Sequence, residues 1–240
     1  KVLQVDPFLD ELIGIHEFFV SGGSPAGISS GTITRQVYDA EREWTKHLLA
    51  FYQASRSADF NRIVASVKTF ARADAQKGRL RDRMRADKIS EILPDFKSVY
   101  VEAGYIHVPL MPELFRRLPN GCRLRPVYLM EPVLSRLMGR RRLLGPGDVL
   151  TLLYAFRPDR EEPRHDLLAA RSLVYNKIVD KEEMTEKEGA YPHVRDEIEA
   201  IELAASLDFE QCRELFSRLR PLTTSEAKAR AREWVRMRSS

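Results

Sequence analysis

The fold prediction starts from residues 98–130, which read SVYVEAGYIHVPLMPELFRRLPNGCRLRPVYLM. Residues 98–104 are rich in β-branched and aromatic side chains and end in glycine, a pattern typical of a β-strand. Residues 109–118 have helical spacing, and residues 123–130 resemble a second strand, which Pro126 would place at a sheet edge. Strand, helix and strand within about 33 residues match the length of a parallel βαβ unit. The sequence therefore predicts an α/β fold with a small, mostly parallel central sheet.

Helices dominate the prediction on both sides of this unit. Asp6 and Pro7 are typical of an N-cap and a first helical residue, and Asp208 with Gln211 three residues later resembles a capping box. Apolar residues then recur at helical spacing, and a long charged helix continues until Pro94 stops it. We therefore expect an α/β core over residues 1–145, with an N-terminal strand that begins before Lys1. We expect a helical extension of the same core over residues 146–240.

Composition excludes several classes of protein. The 240 residues are 43% apolar and 31% charged, which is globular rather than disordered. A formal net charge of +4 is too small to indicate nucleic-acid binding by itself, so we do not expect a nucleic-acid partner. The longest apolar runs are far shorter than the roughly 20 residues of a membrane span. The two cysteines form neither a disulfide framework nor a zinc signature, which favours a cytoplasmic location.

His107 is the main candidate for a functional residue. Gly104 permits a sharp turn, and His107 then lies beyond the carboxyl end of the predicted strand, where open α/β sheets bind ligands. An imidazole there can act as a base, ligate a metal or bind an anion. Glu102 places a carboxylate within the same strand, where it is costly unless it is paired. The alternatives are that Glu102 faces solvent or pairs structurally, and that His107 is a packing residue.

The helix before this strand carries Arg81 and Asp82. If that helix faces the strand tip, Arg81 can bind a carboxylate or an anionic ligand in a bidentate manner. The alternative is a solvated helix surface with weak ion pairs.

Residues 81–93, RDRMRADKISEIL, and residues 99–118, VYVEAGYIHVPLMPELFRRL, together resemble the TraB/ChaN-like (erythromycin-esterase-like) superfamily. The resemblance covers about residues 70–120. The matching residues are Arg81, Asp82, Ala86, Ile89, Gly104 and His107. Two features depart from the pattern. Arg85 stands where a methionine is usual, with Met84 one place early, and the superfamily's strand ending in Gly-Glu-x-His would fall before Lys1.

The resemblance implies an α/β fold in which His, Glu and Arg side chains cluster at one cleft. It implies a hydrolase or a ligand-binding protein, with a small molecule or a peptide as the ligand and a divalent metal as a candidate cofactor. His107 would serve as base or metal ligand beside Arg81 and Asp82, the three positions to which the resemblance assigns a role. The strand pattern itself adds Glu102 as a catalytic candidate and Gly104 as a cofactor-binding candidate. Whether the protein is an enzyme stays open at this point.

A second interpretation is a non-enzymatic interaction module. Arg140, Arg141 and Arg142 form a compact basic cluster, and the last helix is also basic, with Trp234 as its large aromatic residue. These features could bind a protein partner or nucleic acid, and the last helix could form a homodimer.

Overall fold

The computed structural model describes residues 1–119, 121–185 and 190–239. Over these residues the regular structure is entirely helical, with ten α-helices and no strand. Helix accounts for 68% of the structure. The predicted α/β fold with a central parallel sheet is therefore wrong.

In chain order the α-helices are α1 (Pro7–Val20), α2 (Ile33–Ala54), α3 (Phe60–Ile92), α4 (Leu110–Arg117), α5 (Glu131–Met138), α6 (Pro146–Phe156), α7 (Pro163–Ile178), α8 (Pro192–Ala205), α9 (Phe209–Leu219) and α10 (Thr224–Ser239). Short 3-10 turns lie at Pro25–Gly27 and Leu93–Asp95.

The two predicted strands are irregular segments. Residues 98–104 are exposed, and so are most of residues 123–130. Within the described chain, the backbone of residues 97–103 forms no hydrogen bond to another backbone group. A strand is stabilised by its ladder and its cross-strand side-chain pairs, so β-branched composition without a neighbouring strand does not fix one. The intervening helix α4 forms as predicted, because its own hydrogen bonds are local.

Several predicted helix ends are confirmed. Asp6 is the N-cap of α1 and Pro7 is its first residue. Asp208 and Gln211 form a reciprocal capping box at the start of α9. Helix α3 ends two residues before Pro94. The carboxylate of Asp6 forms no cap hydrogen bond, so it is available for tertiary contacts.

The chain divides into two compact units. The first unit contains Lys1–Tyr52, Thr69–Pro126 and Thr151–Asp159. One of its apolar clusters joins α1 to α2 and α3 through Phe8, Ile15, Ile28, Val37 and Met84. A second cluster packs α4 on the end of α3 through Ala86, Ile89, Leu110 and Leu114. This packing holds the turn before α4 against the preceding helical turn of α3.

The second unit contains Gln53–Lys68, Val127–Leu150 and Arg160–Ser240. Helix α7 packs on α8, α9 and α10. Leu173, Ala204, Leu215 and Trp234 are buried in this unit. The predicted boundary at residue 145 stays a prediction.

None of the described helices combines the length and apolar character needed to cross a bilayer.

A candidate active site around His107

The centre of the site is a contact between the turn before α4 and the last third of α3. Asp82 Oδ1 lies 2.6 Å from His107 Nδ1. Asp82 is 1% exposed, whereas the His107 side chain is 18% exposed. The backbone N–H of His107 donates to the carbonyl of Gly104 at 3.0 Å, which closes the turn that carries the ring. A buried carboxylate therefore holds an imidazole that is still accessible to solvent.

Arg85 lies against the same ring. Its Nη1 is 3.2 Å from Nδ1 and 3.0 Å from Nε2 of His107. One donor cannot align with both ring nitrogens, and the C–H between them blocks an approach in the ring plane. The guanidinium therefore lies over the ring face. Its Nη2 donates to Asp6 Oδ2 at 2.6 Å, so Arg85 connects the histidine to a second carboxylate.

Asp6 is the second buried carboxylate of the site. It accepts hydrogen bonds from Nε of Arg81 at 3.1 Å to each oxygen, and from Nη2 of Arg81. Burial raises the pKa of the Asp6 carboxyl, but the hydrogen bonds and charges of Arg81 and Arg85 together outweigh it and lower the pKa. The hydrogen bonds to Asp6 likewise raise the pKa of Arg81. The Asp6 carboxylate is therefore ionised at neutral pH in the folded protein.

Helix α3 supplies three of the side chains that meet at this site, namely Arg81, Asp82 and Arg85. Arg81 and Arg85 are four residues apart, so they share a face, and Arg85 Nη1 lies 3.8 Å from Asp82 Oδ1. We call Asp6, Arg81, Asp82, Arg85 and His107 the histidine cluster. With a neutral imidazole its formal charges sum to zero, as buried charges require.

The structure brings together three of the five predicted site residues, namely His107, Arg81 and Asp82. Glu102 is exposed and takes no part in the histidine cluster. At Gly104 an added Cβ would lie 3.7 Å from His107 Cδ2, which is an ordinary van der Waals contact. The φ angle of Gly104 is not positive. Neither feature requires glycine there. Catalytic Glu102 and cofactor-binding Gly104 stay predictions.

Sequence reasoning missed Asp6 and Arg85. Asp6 was predicted as the N-cap of α1, and it occupies that position. Its carboxylate, however, accepts hydrogen bonds from Arg81 and Arg85 rather than capping the helix. Arg85 was noted as a departure from the superfamily pattern. Its spacing of three from Asp82 and four from Arg81 was the local signal that it shares their face.

The geometry determines how the imidazole can react. With Asp82 accepting from Nδ1–H, the neutral ring carries its lone pair on Nε2. That nitrogen can accept a proton from water or from a substrate hydroxyl. Asp82 then stabilises the imidazolium that forms.

The histidine cluster does not resemble a set of metal ligands. Asp82 already binds the ring, and Asp6 binds two guanidinium groups. Among the described residues there is no group of three or more His, Cys, Asp or Glu side chains that could hold a metal ion. Metal ligation by His107 stays a prediction, and no chemical step below uses a metal.

The two cysteines differ in environment. Cys212 is buried and Cys122 is exposed. Burial raises the pKa of the Cys212 thiol to about 12, which keeps it protonated and unreactive at neutral pH.

Comparison with known proteins finds a relative that is similar over most of the chain. An uncharacterized protein of Archaeoglobus fulgidus is 31% identical to the chain over 219 residues, which cover 91% of this chain and 71% of the relative. No family model matches the chain. No solved structure matches it. Because the identity extends over nearly the whole chain, the chain belongs to the same family as this archaeal protein.

Proposed function

We propose that the protein is a hydrolase of the TraB/ChaN-like kind in which His107 is the general base. The contact of 2.6 Å between buried Asp82 and partly exposed His107 carries this proposal. It resembles the carboxylate–imidazole pair by which many hydrolases activate water or a hydroxyl. The similarity of residues 81–93 and 99–118 to that superfamily supports the assignment through its Arg-Asp and Gly-x-x-His residues alone, because this chain does not adopt the α/β fold that the similarity implies.

In the proposed reaction, water gives a proton to Nε2 of His107 while its oxygen attacks the carbonyl carbon of an ester or an amide. The imidazolium is stabilised by Asp82. As the tetrahedral intermediate breaks down, the bond to the leaving group is cleaved and the imidazolium returns the proton to that group. Base and acid are thus the same nitrogen at successive steps.

Arg81 is the residue that we assign to substrate binding. It uses Nε and Nη2 on Asp6, and its side chain is 32% exposed. Within the described residues Nη1 of Arg81 has no hydrogen-bond partner. We therefore expect a substrate with a carboxylate or another anionic group beside the scissile bond, either a small molecule or a peptide.

The test is hydrolysis of a panel of acyl esters and short peptides by the full chain, with and without a chelator. We expect His107→Ala to lower kcat/KM by about 10²–10⁴-fold. His16→Ala is the matched control, because His16 is exposed on α1. The proposal fails if no substrate is hydrolysed, or if His107→Ala is as active as the unaltered protein.

The compartment and the assembly belong to the same proposal. We propose that the reaction takes place in the cytoplasm, because both cysteines are free thiols. The predicted homodimer stays a prediction.

A further inference from the structure

The positive charge of the chain is concentrated in one segment. Residues 121–142 contain six arginines and a single acidic residue, Glu131, for a formal net charge of +5. The chain as a whole carries +4, so the other 218 residues sum to −1. The modest overall charge therefore conceals a strongly basic region.

Within the second unit, part of this region is organised around one aromatic ring. The guanidinium carbons of Arg141 and Arg142 lie 5.8 and 5.1 Å from the centroid of the Tyr128 ring. Helix α5 ends at Met138, and its C-cap is Gly139, whose φ of 68° is a left-handed conformation that favours glycine. This C-cap turns the chain so that the following arginines return to the ring. We call Val127, Tyr128, Leu129, Arg140, Arg141 and Arg142 the arginine surface.

Most cations of the arginine surface are not neutralised. Arg141 donates to both oxygens of Glu131, at 2.7 and 3.1 Å. No carboxylate in the described part of the chain lies within ion-pair distance of Arg140 or Arg142, and both are exposed.

The basic last helix differs in this respect. Lys228 pairs with Asp196, Arg232 with Glu199, and Arg238 with Glu214. Carboxylates of the same unit thus neutralise these side chains of α10. The sequence analysis named two basic features as candidate binding surfaces. Of these, the arginine surface is the one that leaves cations without a carboxylate partner among the described residues, and it can therefore bind an anionic ligand.

Exposed aliphatic side chains accompany these cations. Val127 is 64% exposed and Leu129 is 70% exposed, on either side of Tyr128. Aliphatic groups beside arginines suit the boundary of an anionic bilayer, where apolar side chains enter the acyl region and guanidinium groups bind phosphates. Single-stranded RNA would use the arginines and the tyrosine, but its bases stack on rings and guanidinium planes rather than on valine or leucine.

We propose that the arginine surface binds the anionic headgroups of a phospholipid bilayer, with Val127 and Leu129 entering its interface. The site is independent of the histidine cluster, so neither proposal depends on the other.

The experiment is cosedimentation of the full chain with vesicles of phosphatidylcholine, with and without phosphatidylserine. We expect binding that requires phosphatidylserine and weakens as salt is raised. Reversing Arg140, Arg141 and Arg142 to Glu should weaken it by about a hundredfold or more, since each arginine near the surface contributes about one power of ten or slightly less. Replacing Val127 and Leu129 by Ser should weaken it by about tenfold.

The control is reversal of Lys46, Arg56 and Arg79, three exposed cations outside the arginine surface, which changes the net charge equally. It should bind vesicles nearly as well as the unaltered chain, and so should His107→Ala. Circular dichroism of each variant checks that the helices persist, and neutral Gln replacements of the three arginines serve if the reversal does not fold. The proposal is overturned if the chain ignores phosphatidylserine, if the control loses as much affinity, or if it binds single-stranded RNA but not the vesicles.

Discussion

Two arginine clusters of this protein use the same chemical groups in opposite surroundings. In the histidine cluster, Arg81 and Arg85 bind Asp6, which is buried, and Arg85 lies over an imidazole. In the arginine surface, Arg141 binds Glu131, which is solvated, and lies over a phenol ring. Breaking a buried pair leaves an uncompensated charge away from water, whereas a solvated pair contributes little. The first arrangement can therefore hold an imidazole in fixed geometry, and the side chains of the second are freer to rearrange.

The largest difference in stability between buried and solvated pairs is expected from the loss of Asp82. Asp82→Ala removes the carboxylate that fixes His107 and leaves Arg85 with one partner fewer. We expect the free energy of unfolding to fall by about 3–5 kcal/mol, measured by urea denaturation. The control is Asp87→Ala on the same helix, whose carboxylate pairs with Arg117 at the surface and should cost much less. Similar losses in both variants would remove the distinction between the two kinds of pair.

The second-largest effect on the free energy of unfolding is expected from replacing Asp6, and this effect depends on pH. Asp6→Asn should lower the free energy of unfolding at neutral pH by about 1.5–3 kcal/mol, because hydrogen bonds to a charged group are lost. The pKa of Asp6 is lowered from its usual value of 3.8. Its contribution is therefore complete above pH 3.8 and is lost as the pH falls through the folded-state pKa.

Urea denaturation at a series of pH values checks this dependence. The unaltered protein should lose more stability on acidification than Asp6→Asn. Parallel pH curves for the two proteins would show that the pKa of Asp6 is the same in the folded and unfolded states.

A smaller effect is expected for Arg85→Lys. An ammonium group cannot cover the His107 ring and bind Asp6 at the same time, so one contact is lost at a cost of about 1–2 kcal/mol. Arg83→Lys is the control, because Arg83 is an exposed residue of α3 that donates to Gln36 on α2 and lies outside the histidine cluster. If the histidine cluster positions the base, Arg85→Lys should also shift the pH profile of hydrolysis, and Arg83→Lys should not.

The smallest effect is expected at the arginine surface. Arg141→Ala removes a solvated pair with Glu131, so the thermal unfolding midpoint should not change measurably at low or high salt. A drop in the midpoint as large as that of Arg85→Lys would mean that the arginine surface is part of the folded core rather than a surface open to a ligand.

Local features of the fold were predictable from the sequence. The start of α1 at Pro7, the capping box of α9 and the end of α3 before Pro94 all depend on residues within one helical turn. The strands at residues 98–104 and 123–130 were predicted wrongly, because β-branched side chains favour a strand only where another strand completes the hydrogen bonds. Single-sequence patterns carry no information on whether such a neighbour exists.

The candidate site, like the fold, was predictable from the sequence only in part. The sequence by itself determined that Arg81, Asp82 and Arg85 share one stretch of α3, since helical periodicity sets their spacing. Only the tertiary structure decided that Asp6, 79 residues before Arg85, and His107, 22 residues after it, meet that stretch. The reason is that these contacts follow from the packing of α1 and α4 against α3, which depends on apolar burial between distant segments rather than on any local pattern.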